Sequence, residues 1–521
     1  MDADFDLAVI GSGFGGSLLA MLARRLGRSV VLLERGRHPR FAIGESSTPL
    51  ANLLLEELAR RYGLPEVAPL AKWGSWQKAR PEIACGLKRG FTFYHHVLGQ
   101  PWKETPHRGN ELLVAASPHD GVADTHWYRS DFDQFCVRAA QHTGAEFLDE
   151  VKLSCAQFSE QGGELSGERA GGALKLRARF VVDASGPRGF LHGVLALPEV
   201  SWATLPATQG LYTHFRSVRR WDELHAPAGE PPYPVDDAAL HHVFDGGWIW
   251  VLRFNHGVTS AGLAAGSSLA EALQLAEGKA AWERLLERLP AVREQFAGAT
   301  ECLPFQHAPR LSFRSGSATG ERWALLPSAA GFVDPLLSTG FPLTLLGLER
   351  LAQLLEEDWD SPRWAEGLRA YGRQTFHELD GAAALIGALY ANLHDAEVFN
   401  ALTLLYFAAA TYAETARRLQ RPGRPPAFLL LDHPQFGPAF RACVEGGLRG
   451  ARRDGSGAEK RVRIRSILEA IEPINLARLG DPARRNWYPA RGEDLLEAAP
   501  KLGVDRSAME DLLTRCGFAA R

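Results

Sequence analysis

The first 36 residues limit the fold more than any other part of the chain. An apolar run at residues 5–10 breaks into Gly-Ser-Gly-Phe-Gly-Gly at 11–16. It continues as "SLLAMLARRLG", whose apolar positions recur at helical spacing, and then as "SVVLLERG", a second apolar run ending in Glu34. Strand, glycine turn, helix and strand in that order open a dinucleotide-binding α/β fold. Gly11 permits the turn, Gly13 lets the backbone approach a pyrophosphate, and Gly16 lets helix and strand pack closely. The phosphates would sit at the helix N-terminus, with Glu34 placed to accept ribose hydroxyls. The long polar loop at 37–49, "RHPRFAIGESSTP", stands where a simple dehydrogenase would go on to its next helix. It favours FAD over NAD.

Further along, "ARFVVDASG" at 178–186 reads as another buried strand closed by a turn, residues 130–144 as a helix, and 145–180 as a β-meander. Alternating strands at "LYTHFRSV" and "HHVFDGGWIWVLRF", with a helix near 268–295, predict a second, sheet-based domain over 197–300. After residue 341 the pattern is helical, broken by "RPGRPP" at 421–426 and "RRDGSG" at 452–457. With 521 residues, two or three structural units are expected.

The net charge of -3 offers no basic excess for nucleic acid. The six cysteines form no Cys-x-x-Cys pair and have no histidines at zinc spacing, so no metal site is expected and a reducing cytoplasm suits them. No signal-peptide layout precedes the first strand. The most apolar stretches fall short of the ~20 residues that span a bilayer, so no membrane partner is expected.

Residues 84–93, "ACGLKRGFTF", place Lys88 and Arg89 where a strand would offer apolar side chains to a core. Two solvated cations at a strand end is the ordinary reading of this segment taken alone. Together with "GSGFGG", "HPRFAIGESSTP", "HHVFDGGWIWVLRF" and "GFVDPLLSTG", however, the chain resembles the flavin-dependent halogenases over essentially its full length. The pattern is nearest to those acting on free phenols such as phloroglucinol. The resemblance implies a Rossmann-like FAD-binding domain of the aromatic hydroxylase and halogenase type, in three parts (1–85, 129–196 and 301–355). It also implies a β-sheet substrate domain (86–128 for its active-site strands, 197–300 for the rest) and a helical C-terminal region, 356–521.

In the chemistry implied by the resemblance, reduced FAD from a separate flavin reductase meets O2 to give a hydroperoxide. Chloride or bromide attacks it, and Lys88 captures the hypohalous acid for a small aromatic substrate. An ammonium can polarise an O–X bond and an amine can form a haloamine. The cofactor contacts implied are Gly11, Gly13, Gly15, Gly16, Glu34, Arg35, Gly44, Glu45, Ser46, Arg129, Asp183, Gly186, Asp334, Pro335 and Gly340. Ser338, Thr339 and Gly340, before a helix with Pro342 in its first turn, are the implied halide site. Trp248, Trp250 and Phe93 are the implied aromatics of the active site and its tunnel.

Three departures qualify the resemblance. Leu252 and Arg253 replace Ile and Pro after Trp-x-Trp, which could alter the tunnel or favour a hydroxylase. Ser328 stands where an aspartate normally holds the ribityl chain. Leu337 replaces the glutamate of tryptophan halogenases, which disfavours tryptophan as substrate. His95, His96, Glu104 and Glu111 lie near Lys88 in sequence, and none is assigned as a base. A flavin hydroxylase and a catalytically silent flavin-binding paralogue are the alternatives. A carrier-tethered substrate and a homodimer are left open.

Overall fold

A computed structural model describes residues 4–420, 426–450 and 457–518. Apart from Pro426 and Gly457, the two sequence breaks expected at 421–426 and 452–457 lie outside the described residues. Strand β1 (Phe5–Ile10) leads through helix α1 (Phe14–Arg25) to β2 (Val30–Leu33). Helices α2 (Pro49–Arg61) and α3 (Trp73–Ala79) precede β3 (Cys85–Lys88), β4 (Gly90–His95), β5 (Glu111–Ala115) and β6 (Asp124–Trp127). After helix α4 (Arg129–His142) come β7 (Glu146–Leu148), β8 (Val151–Ser159), β9 (Gly162–Arg169) and β10 (Gly172–Asp183). Then follow β11 (Thr208–Arg216), β12 (Ala239–Phe244), β13 (Gly247–Arg253) and β14 (Val258–Gly266).

The fold is α/β. The strand Trp323–Leu325, β10, β1, β2 and β7 form a parallel core sheet, while β8, β9 and the first part of β10 fold over as antiparallel hairpins. Both β1 and β2 are almost wholly apolar because helices cover a parallel sheet on both faces. The second sheet has nine strands, with β11, β14, β13, β12, β4 and β5 side by side and Trp487–Tyr488 at one edge. Strand β3 belongs to neither and pairs only with β6. The helix expected near 268–295 is three short ones, Ser267–Leu273, Lys279–Arg288 and Pro290–Gln295. Gly278, at φ +60°, and Pro290 interrupt it.

Alternation along the second sheet divides two cores. Phe91, Phe93, Trp248, Trp250 and Leu252 face the core shared with the glycine-loop sheet and the C-terminal helices. Tyr94, Ile249 and Val251 face a separate core, closed by the three short helices. No helix among the described residues is long and apolar enough to cross a membrane, and no cluster of His, Cys, Asp or Glu among them could hold a metal.

Candidate active site

Lys88 ends β3 with no exposed surface. The strand reaches this depth because Gly86 lies directly on the backbone of β13: a Cβ there would stand 2.0 Å from the Arg253 carbonyl oxygen. Its ammonium donates to Ser46 Oγ at 2.8 Å and the Ser47 carbonyl at 2.5 Å, and sits 3.7 Å from the centroid of the Phe91 ring. An ammonium has three N–H donors, and two are spent on the loop. Burial pushes the Lys88 pKa down, and Asp124, its register partner across the β3–β6 pair, opposes that shift. Arg89 turns the opposite way, to Asp120 at 2.7 Å and to the Ser117 and Pro118 carbonyls.

An aromatic row continues from Lys88 along the sheet face. Phe91 lies 6.4 Å from Phe93, Phe93 stacks on His241 at 4.4 Å, and His241 lies 5.3 Å from Trp248. Trp248 Nε1 donates to the Tyr390 hydroxyl at 3.0 Å, and that hydroxyl donates to Asp334 at 2.9 Å. Asp334 also accepts from the Leu336 amide at 3.0 Å, and its burial raises its pKa to about 7. The backbone then passes through Leu337 and Ser338, at φ +63° and +54°, and Thr339 into the helix Gly340–Glu357. Gly340 is exposed, with open space where a Cβ would be, at the end of the helix where amide groups lack intrahelical partners. Trp250 donates to Ser260 Oγ at 3.3 Å. Arg253, by alternation, lies on the other face, bound to Asp236 at 3.0 Å and to the Val218 carbonyl at 2.9 Å. The expectation that Arg253 could alter a tunnel on the tryptophan face is therefore corrected.

The residues around the glycine loop fit a dinucleotide. Gly11 has φ +98°, and a Cβ on Gly16 would stand 1.9 Å from the Gly11 carbonyl oxygen, so both positions require glycine. Glu34 accepts from the Ser12 amide and hydroxyl at 3.1 and 2.8 Å and lies 3.3 Å from Arg40. Burial works against its charge, but Arg40, Gly36 and Ser12 hold its carboxyl below the usual range. Two buried polar atoms beside this loop, His38 Nδ1 and Arg40 Nε, and a third on the following segment, Glu45 Oε2, have no partner in the protein. They suit a polar ligand.

Arg129 is neither on the surface nor free. It makes a bidentate pair with Asp133 at 2.8 and 2.8 Å and donates to the Ile43 and Gly44 carbonyls, with Nη2 3.4 Å from where a Cβ on Gly13 would be. Arg35 is exposed, and Gly15 packs against Leu326 and Thr344. Asp183 is buried and accepts from Ser185 and the Leu191 amide, closing the turn beside Gly186. Pro335 leads into the turn Leu336–Ser338. Ser46 binds Lys88, and Glu45 accepts from His214 at 2.8 Å.

Phe91 also lines a cleft of about 1190 Å³, counting its open mouth. Phe91, Tyr406 and Glu414 line it together with Tyr488, Leu512 and Phe518. Asp124, His241, Tyr390 and Tyr406 were not singled out in the sequence. Tyr390 and Tyr406 fall in the apolar runs "GAAALIGALYANL" and "ALTLLYFAAATYA", which read as buried helices, and His241 falls in the strand run "HHVFDGGWIWVLRF". His95 and His96 bond to Asn400 and His242, and Glu111 to Trp487, away from Lys88.

A family model described as tryptophan halogenase matches residues 124–399, and one described as NAD(P)-binding Rossmann-like domain matches residues 9–50. Tetracycline 7-halogenase of Kitasatospora aureofaciens is 31% identical over 380 residues, covering 70% of this chain and 66% of that protein. Monodechloroaminopyrrolnitrin halogenase PrnC of Pseudomonas fluorescens is 29% identical over 371 residues, covering 69% of this chain and 63% of that protein. The chain thus spans just under two thirds of the length of these relatives. Among solved structures, halogenase PltM in complex with phloroglucinol and FAD superposes with a TM-score of 0.82 at 26% identity, covering 92% of this chain and 99% of that one.

Proposed function

Because the chain belongs to the tryptophan-halogenase family of flavin-dependent halogenases, we propose that it installs chloride or bromide on a small, electron-rich phenol, with Lys88 as its catalytic residue. The observation that carries this reading is the Phe91 ring, which has the Lys88 ammonium against it and forms a wall of the cleft. A ring bound in that cleft is one aromatic side chain away from the cation. When bound, reduced FAD supplies the electrons with which dioxygen oxidises halide to hypohalous acid. Gly11, Gly13, Glu34 and the loop 37–47 would hold it.

Ser46 and the Ser47 carbonyl fix the ammonium, so its third N–H can donate to the oxygen of hypohalous acid and polarise the O–X bond. The ring takes the halogen and loses its proton, and the oxygen leaves as water. The turn Leu336–Ser338 and the open Gly340 support an anion site at the helix start. Leu337 puts no carboxylate there, and a phenol needs less help losing its proton than an indole does. The hydroxylase alternative gains nothing from Arg253, which faces away from the aromatic row.

The direct test incubates the protein with FAD, a flavin reductase, NADH and bromide against phenols, resorcinols, phloroglucinol, indoles and pyrroles, and reads products by mass spectrometry. A bromine isotope pattern on a phenol is expected. Oxygen insertion that persists without halide would replace this reading with a hydroxylase.

A further inference from the structure

Lys88 is buried, and a buried ammonium needs a compensating charge or it gives up its proton. Its two hydrogen-bond acceptors, a serine hydroxyl and a backbone carbonyl, are neutral. The charged group that acts on it comes from the strand beside it: in the antiparallel β3–β6 pair, Lys88 stands opposite Asp124. Asp124 is itself only 6% exposed. Asn52 Nδ2, from α2, holds one of its oxygens at 2.9 Å, and the other, Oδ2, is buried with no partner.

The other titratable groups around the pair do not take this place. His126 on β6 and His241 on β12 are buried and bonded to the Ala238 and Thr92 carbonyls, and burial lowers the pKa of both. Tyr406, from the helix Ala396–Arg418, is buried beside Asp124, and burial raises its pKa. Glu414 and Arg418 of the same helix pair with each other at 2.8 Å. Glu45 is bound to His214, and Arg89 to Asp120.

We infer that Asp124 is the positioning residue for Lys88, a buried counter-ion across the strand pair that lets the chain hold an ammonium in an aromatic pocket. The inference takes from the proposed function only that Lys88 is the acting side chain. Asp124 does not line the cleft, and it acts on the substrate only through Lys88.

A thermal double-mutant cycle on the full chain tests this without any turnover. Lys88→Met leaves a carboxylate buried without its counter-ion, and Asp124→Asn leaves a buried ammonium while keeping an acceptor for Asn52. Each single variant should melt below the wild type, and Lys88→Met/Asp124→Asn should melt no lower than Lys88→Met alone, because it removes the orphaned charge. Should Lys88→Met fail to fold, the pairing predicts that the double variant folds. Losses that simply add would overturn the inference.

The pH profile of bromination is the second measurement. In Asp124→Asn the limb that reports Lys88 should move to lower pH by about one unit or more, because burial then acts on the ammonium unopposed, while flavin affinity holds. Asp124→Glu should return it toward the wild-type position. An unmoved limb would count against the inference. Undiminished bromination by Lys88→Met would remove the catalytic role of Lys88, a failure that reads in a different assay from the melting cycle.

Discussion

Lys88 and Asp334 are both buried charged residue types, at opposite ends of one aromatic row. Lys88→Ala is expected to keep FAD binding and NADH-driven flavin oxidation and to lose halogenated product by roughly 100-fold or more, since a positioned proton donor contributes about that much. Quantifying product and peroxide in the same reaction checks it. Asp334 predicts a pH effect on stability. An unfolded aspartate ionises near 3.8 and the buried one near 7, so between those values the folded state holds a proton that the unfolded state has lost. Stability should therefore fall as pH rises from about 4 through about 7. Asp334→Asn, a mimic of the protonated acid, should flatten that slope in melting curves taken across the window. Sequence pointed to Lys88 through its motif. It did not point to Asp124 or Tyr390, because each becomes a partner only through contacts between segments far apart in the chain.

At the scale of elements, β3 does an unusual job: a four-residue strand outside both large sheets ends on a cation turned inward, and Arg89, the residue after it, turns outward. The Cys-Gly step makes that possible, because Gly86 sits against the Arg253 carbonyl with no room for a side chain. Gly86→Ala should push β3 off β13, cost about 1–3 kcal/mol in denaturant unfolding, and reduce halogenation more than it reduces flavin binding. The same alternation explains Arg253. One residue of displacement along a strand reverses the face, so a substitution that looks like a tunnel change in a linear motif becomes a brace to Asp236 on the far side. Strand, glycine loop, helix and strand at the N-terminus were readable because each signal is local. The helix expected over 268–295 was not resolved into three, since apolar spacing continues across Gly278 and Pro290.

Over the whole molecule, the cleft is a joint product of the nine-stranded sheet, the helix Ala396–Arg418 and the chain's last segment. Leu495, Leu512, Leu513 and Phe518 line it, and His119 holds that segment through the Gly517 carbonyl at 2.8 Å. Deleting residues 492–521 should raise KM for the aromatic by about tenfold while flavin affinity changes by less than about twofold, because the glycine loop lies elsewhere. Steady-state kinetics and a flavin fluorescence titration separate the two effects. Sequence gave no warning of this lining, since packing between remote segments leaves no periodicity to read. One run of backbone, residues 43–47, joins the two ends of the chemistry. Arg129, beside Gly13, grips the Ile43 and Gly44 carbonyls, and three residues later Ser46 and Ser47 grip Lys88. Ser47 is itself tied to the Thr125 carbonyl on β6, the strand of Asp124. This stretch is a shared support for Arg129 and Lys88, and mutational genetics on it will not sort cleanly into cofactor and halogen-transfer phenotypes. A lesion anywhere from Ile43 to Ser47 should register in flavin affinity and in halogen transfer together.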